Sequence, residues 1–398
     1  MIFQIIIAIL LGFLLGCVTG LIPGIHTNLI SIILLSLIGL TSTQIDPILL
    51  VALIVSMATT HTFLDFIPSI YLGAPDEDTA LSVLPGHEFL LKGRAHEAII
   101  LTLIGSASAI ILLLIIIPIL FIILPFAIQY IERMMAWILI WISIFLVTDN
   151  KKRAGSILIF ALAGFLGIST LGTSTNEPLL PLLTGLFGTS TILYSIKTAT
   201  KIPIQTTKSL VFSFKETIKP LITTLLVSPI CSFLPGLGSS QAAIIGSKIT
   251  GKLDKRQFLI LLGSINTLVL TVSFFTLYLI GKSRTGSANA ISQLIQLTPS
   301  DLITISITII SVALLSIPLT IFISKQISKN IHKMNYSYIS KITILILIAV
   351  TFIVSGFMGL LILLISTALG LLCTMIGVRK SLLMGCLLIP TILYYWPM

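Results

Sequence analysis

Residues 20–28 read GLIPGIHTN, and residues 232–240 read SFLPGLGSS. Each places Pro-Gly inside an otherwise apolar run, at Pro23-Gly24 and at Pro235-Gly236. Proline has no backbone N–H and glycine loosens the chain, so a helix stops there. The apolar stretches that follow, 28–40 and 239–249, are too short to cross a bilayer, which takes ~20 residues. Each therefore pairs with the run before it, 2–20 or 217–234, as a re-entrant hairpin. Lipid cannot satisfy the amides and carbonyls that such a break frees, so the breaks must be buried in protein or line a cavity.

The rest of the chain is equally apolar. Of 398 residues, 56% are hydrophobic and 9% charged, against ~25% charged in a soluble domain. That excludes a secreted disulfide scaffold, a disordered tail and an ordinary cytosolic enzyme. No run alternates apolar and polar residues as a membrane β-strand would. Cys17, Cys231, Cys373 and Cys386 are far apart in apolar runs and suggest neither a disulfide framework nor a zinc site. The net charge of +10 lies between hydrophobic runs rather than in one basic tract with aromatics, so the expected partner is the lipid bilayer and not nucleic acid. The N-terminus is apolar from Ile2 with no basic segment before it, and reads as part of the mature fold.

Further hydrophobic runs lie at 47–72, 97–125, 126–148, 154–175, 177–196, 257–280, 299–324, 342–371 and 380–396. The fold class expected is all-α: a polytopic membrane protein of about 9–10 spans. On this arrangement 18 of the 23 Lys and Arg share one face, the exceptions being Arg133, Lys282, Arg284, Arg379 and Lys380. The positive-inside rule makes that face cytoplasmic, in the cell membrane, with the N-terminus outside and the C-terminus inside.

The chain repeats itself. Besides the two Pro-Gly segments, TGLFGTSTILY (184–194) matches MGCLLIPTILY (384–394), and SIYL (69–72) echoes TLYL (276–279). Five spans follow the first hairpin, and an odd number turns the second half over. The expected domains are inverted repeats at 1–200 (hairpin 1–40, acidic loop 73–97) and 217–398 (hairpin 217–249), joined by a linker at 201–216. Secondary transporters share this design. The second half counts one span short.

Polar residues follow both breaks, and a helix start there offers free N–H groups and positive potential to an anion. The candidate anion pocket comprises Pro23, Gly24, His26, Thr27 and Asn28 with Pro235, Gly236, Gly238, Ser239, Ser240 and Gln241, and contains no Lys or Arg. Residues 61–97 hold six of the 13 acidic residues and three of the five His. Asp65 stands in an apolar run one turn after His61, and an intramembrane carboxylate is a functional candidate by default. His61 and Asp65, with Asp76 and Asp78, are the candidates for a coupling ion, Na⁺ or H⁺. No other cofactor and no metal is expected. Bland readings stay open: kinked helices, a structural His–Asp pair, and a solvated loop at 76–78. Asn266 and the GKSRTG stretch (281–286) fall where the first half has His61 and the acidic loop, and Lys282 and Arg284 there would attract an anion from outside.

The ordered set resembles a known family. Gly20-Leu21-Ile22-Pro23-Gly24, then Gly73-Ala74-Pro75 through Thr79-Ala80-Leu81, Gly86, Gly93 and Ala95, then Pro235-Gly236-Leu237-Gly238 through Ala242-Ala243 are similar to the large membrane subunit of the tripartite tricarboxylate transporters (TctA). The resemblance implies inverted repeats with paired hairpins, cation-coupled uptake of a carboxylate, and a substrate site at the two Pro-Gly motifs. It also implies a small membrane subunit and an extracytoplasmic binding protein as partners; an oligomer is compatible with it. The reading is a non-enzymatic secondary transporter of an organic anion, a di- or tricarboxylate, by alternating access. Two others stay open: a translocase for a lipid-linked anion such as a polyprenyl phosphate, and an intramembrane hydrolase using Ser239 or His61 with Asp65.

Overall fold

The computed structural model describes residues 1–23, 27–40, 46–75, 78–148, 152–175, 177–197, 202–207, 214–233, 238–251, 253–281, 285–333 and 336–396. The first half supplies α1 (Ile2–Leu21), α2 (Thr27–Leu40), α3 (Pro47–Leu64), α4 (Phe66–Tyr71), α5 (Val83–Leu91), α6 (Ala95–Thr148), α7 (Arg153–Leu171), α8 (Leu179–Leu183) and, after a π-helical turn at Thr184–Thr189, α9 (Ser190–Lys197). The second supplies α10 (Phe214–Phe233), α11 (Ser239–Ile249), α12 (Lys255–Ile280), α13 (Gly286–Leu294), α14 (Pro299–Ile331), α15 (Tyr336–Ile376) and α16 (Gly385–Tyr394). Polar caps set several starts. Asp46 accepts the Ile48 N–H before Pro47, Asp254 and Gln257 close a capping box on α12, and Thr298 and Asp301 do so on α14. Among the described residues, seven helices are long and apolar enough to span a membrane.

Side-chain contacts fix the run directions. Tyr71 meets Ser324 and Ser328, and Phe63 O accepts from Thr320, so α3 and α14 run together. Lys325 and Lys329 near the end of α14 share a face with the starts of α6 and α12, because His96 meets Ser324 and Glu97 pairs with Arg256. α6 begins alongside α12 and travels with it: Ser106 donates to Gly263 O, and Phe121 stacks on Tyr278. α10 runs the same way, tied by Glu216–Arg256 and Thr224–Ser264. α1 lies along α3, Gly12 facing Leu53 and Gly20 facing Leu64. α1, α3 and α14 thus run toward the lysine-rich face, while α10, α12 and the start of α6 run away from it.

Two long helices double back. As a straight rod the 54 residues of α6 would reach about 81 Å, far beyond a ~30 Å hydrocarbon core. Phe121 meets the far end of α12, yet Phe145 lies under Lys248 and Leu146 shares a cavity with Phe258 at its near end. The reversal falls between Phe121 and Phe145, so this stretch is two limbs, as expected from the separate runs 97–125 and 126–148. α15 turns at Gly356, whose φ of 65° and ψ of −160° suit glycine alone. Leu347 before the turn packs with Ile192, and Gly370 after it lies against Ser190, so both limbs lie along α9. The run 342–371 is therefore two limbs rather than one.

Three expectations are corrected. Arg379 and Lys380 are not exceptions to the basic face: they share a cavity with Lys248, and Lys152 donates to Ile376 O just before them. α16 packs on the middle of α7, Gly385 lying on Phe160, and Trp396 lies on Trp137, midway along the stretch 126–148, so the last described residues do not lie among the lysines. Residues 73–97 are not an open loop, since Val83–Leu91 is a helix with His87, Phe89 and Leu90 buried.

Burial ranks the elements. The span windows in α12 and in α3–α4 are 94% and 78% buried, against 22–44% in the other five. These two elements, one from each half, form the centre. The outer helices expose Leu114, Phe126, Phe165 and Phe357, as lipid-facing helices do.

Gly356→Ala should cost about 1–3 kcal/mol, read as a lower melting temperature in detergent. At the lysine face, Glu88 accepts from Lys92 and Lys255, and these bonds hold its carboxyl below its ordinary value of 4.5. A depressed carboxyl stabilises above its unfolded pKa and loses that contribution as pH falls through its folded one. Melting temperature should therefore fall more steeply below pH 4.5 in the parent than in Glu88→Gln.

Candidate functional site

The centre of the molecule is polar where α3 and α12 cross. Asp65 sits at the step between α3 and α4 and is 2% exposed. Asn266 of α12 donates to its Oδ2 at 2.7 Å, and His61 Nε2 is 3.9 Å from the same oxygen. His61 Nδ1 meets Thr19 Oγ1 of α1 at 3.1 Å, and Thr267 donates to Thr62 at 3.2 Å beside them. His61 and Asp65 are brought together as their spacing requires, but Asp65's closer partner comes from the other half. Gly20 permits the approach of α1: a Cβ there would fall 2.8 Å from Leu64 Cβ. The first break follows at once, with Pro23 buried, so it lies at the depth of His61 and Asp65.

The second break is met by an acid. The Ser239 N–H at the start of α11 donates to Asp78 Oδ1 at 2.8 Å, and Ser240 Oγ donates to the Asp78 carbonyl at 3.1 Å. Thr79, next in the chain, is fixed by Ser69 at 2.7 Å. Asp78 is only half-buried, yet it lies within the protein against the broken helix rather than in an open solvated loop. The helix end proposed for an anion thus already holds a carboxylate, which the positive helix terminus and a free N–H favour.

The first break meets the second half in a related way. Asn28 in the first turn of α2 fills the space beside Gly286, where a Cβ would lie 2.5 Å from it. Ser31 donates to Ser287 at 3.5 Å, and Thr285, which caps α13, meets Ser273 at 3.1 Å. Each helix after a break therefore starts against the segment that leads into a short helix of the opposite half.

Gly24, His26, Asp76, Pro235 and Gly236, with Lys282 and Arg284, lie outside the described residues; of Gln241 only the backbone, within α11, is described. Gly238 is the N-cap of α11, with an extended backbone. Thr27 is buried and Asn28 half-buried. Ser239 Oγ is buried and has no hydrogen-bond partner among the described residues. Sequence reasoning missed Thr19 and the pairing of Asn266 with Asp65. The available signal was an amide inside so apolar a segment as 257–280, which demands a buried polar partner.

A helical shell of lipid-facing spans around two buried elements, with a carboxylate at their crossing and two broken helices beside it, defines a polytopic membrane protein built around a polar interior. The chain belongs to the tripartite tricarboxylate transporter TctA family, whose model matches residues 6–385. It is similar to an uncharacterised protein of Methanocaldococcus jannaschii, 30% identical over 390 residues and covering 94% of each chain. No solved structure gives a significant match. The family makes the chain a component of a membrane transporter.

Removing the acceptor from the α11 terminus should cost about 0.5–2 kcal/mol. Asp78→Ala should lower the melting temperature accordingly, and Asp78→Asn, which keeps an accepting oxygen, should recover most of the loss.

Proposed function

We propose that this chain is the permease of a cation-coupled carboxylate transporter, moving an organic di- or tricarboxylate by alternating access between two inverted repeats. The observation that carries the reading is the Ser239–Asp78 contact: a broken-helix end beside the buried polar centre holds a carboxylate by a backbone N–H. A substrate carboxylate would compete with Asp78 for that end, and the equivalent end at Thr27–Asn28 would hold a second anionic group. Pocket charge is kept low, so the substrate is recognised by helix ends and hydroxyls that do not bind it too tightly to release.

Asp65 is the proposed coupling group. Its carboxylate is buried, hydrogen-bonded across the two halves and close to His61. Binding of Na⁺ or H⁺ there would neutralise it and change the Asp65–Asn266 contact that joins α3 to α12. The inverted-repeat reading draws support from the opposed run directions of α1 and α10, of α3 and α12, and of α6 and α14. By the positive-inside rule the lysine-rich face is cytoplasmic. A small membrane subunit and an extracytoplasmic binding protein complete the system on this reading.

Ligand-dependent melting of the purified protein tests it without those partners, because a bound ligand stabilises by mass action, about 2.7 kcal/mol at a hundredfold excess over Kd. Citrate or succinate should raise the melting temperature, more so with Na⁺ or at lower pH. Asp65→Asn should keep an anion response but lose its dependence on the cation. Stabilisation by a polyprenyl phosphate and by neither carboxylate would overturn the carboxylate reading, and an unchanged cation dependence in Asp65→Asn would remove Asp65 from coupling.

A further inference from the structure

A cavity of about 340 Å³ opens near the lysine-rich face, between α5, α6, α11, α12 and the start of the segment leading to α16. That volume is within the range of small-molecule sites. Its lining combines three basic residues, Lys248, Arg379 and Lys380, with apolar ones that include Leu84, Leu146 and Phe258. Along α11 it is lined from Ile244 to Lys248, so its basic end at Lys248 stands nine residues, more than two helical turns, from the Ser239 terminus, and its nearest wall about 7.5 Å of rise. Lys380 is 7% exposed, and the groups its ammonium meets are the hydroxyls of Thr191 and Ser190. Among the described residues no carboxylate forms an ion pair with it, although a buried cation ordinarily has a paired anion. Lys248 stands 4.3 Å from the centre of the Phe145 ring. Leu84, one of its lining residues, is 51% exposed, so the apolar lining reaches the surface of the protein.

We infer that this cavity binds the phosphate headgroup of an anionic phospholipid, the phosphate among Lys248, Arg379 and Lys380 and the upper acyl chain along Leu84 and Leu146. The missing counter-charge at Lys380 calls for an anion, and the apolar lining that reaches the surface at Leu84 calls for an amphiphile rather than a freely soluble ion. Basic pockets between spans at the cytoplasmic side take phospholipid headgroups in this way. The inference concerns neither the Pro-Gly breaks nor Asp65, and stands or falls independently of carboxylate transport.

The test is melting of the delipidated protein in detergent with short-chain phosphatidylglycerol, short-chain phosphatidylcholine or inorganic phosphate. Phosphatidylglycerol should raise the melting temperature, and the other two should raise it by less than half as much. Arg379→Gln, a change at an exposed residue that the fold tolerates, should reduce the phosphatidylglycerol shift at least twofold, and Lys380→Met, if it folds, should abolish it. An equal shift with inorganic phosphate would overturn the lipid as the source of the anion. No shift with phosphatidylglycerol, or a full shift in Arg379→Gln, would overturn the site.

Discussion

A helix that starts inside a membrane protein leaves N–H groups that lipid cannot satisfy, and the need to supply acceptors for them organises this fold. At α11 the acceptor is the Asp78 carboxylate, which comes from the other half of the chain. At α2 the first turn packs on Gly286 and Ser287, again in the other half. Both broken helices thus begin in contact with the other half of the chain. The two halves are joined by more than apolar packing: Asp78 accepts a backbone N–H at the start of α11, and Ser31 of α2 donates to Ser287.

The same logic explains why so many hydroxyls and one carboxylate sit in the most buried elements. α3 and α12 are surrounded by protein on nearly all sides, which lets them carry Thr62, Asp65, Asn266 and Thr267 without exposing a polar group to lipid. A buried carboxylate is costly unless hydrogen-bonded or neutralised. Asn266 supplies one hydrogen bond, and His61 lies close enough to share charge. A neutralising ion at Asp65 would thus be felt at the contact between the halves.

Much of this was legible in the sequence for identifiable reasons. Pro-Gly stops a helix, so the ends of α1 and α10 and the short helices after them could be placed from residues 20–28 and 232–240. His61 and Asp65 were legible because four-residue spacing on a helix puts them on one face. What could not be read depends on folding in three dimensions. Gly356 lies in an unbroken hydrophobic stretch, and hydropathy has no term for a reversal made by one glycine with positive φ. Asp78 looked like a member of a surface acidic run because its partner, the N–H of Ser239, is 161 residues away. Arg379 and Lys380 looked misplaced because the span count before them was one short, and an error of one reverses the side assigned to everything after it.

The seating of α2 has a mechanical consequence. Its first turn is keyed to α13, while the glycine ridge of α1 is keyed to α3. The two arms of one hairpin are therefore anchored to opposite halves of the protein. Any sliding of α13 relative to α3 is delivered to the arms as a change in the angle between them, much as a pair of tongs is worked from its handles. Relative movement of α13 and α3 would then be felt between α1 and α2, on either side of the Pro23-Gly24 break.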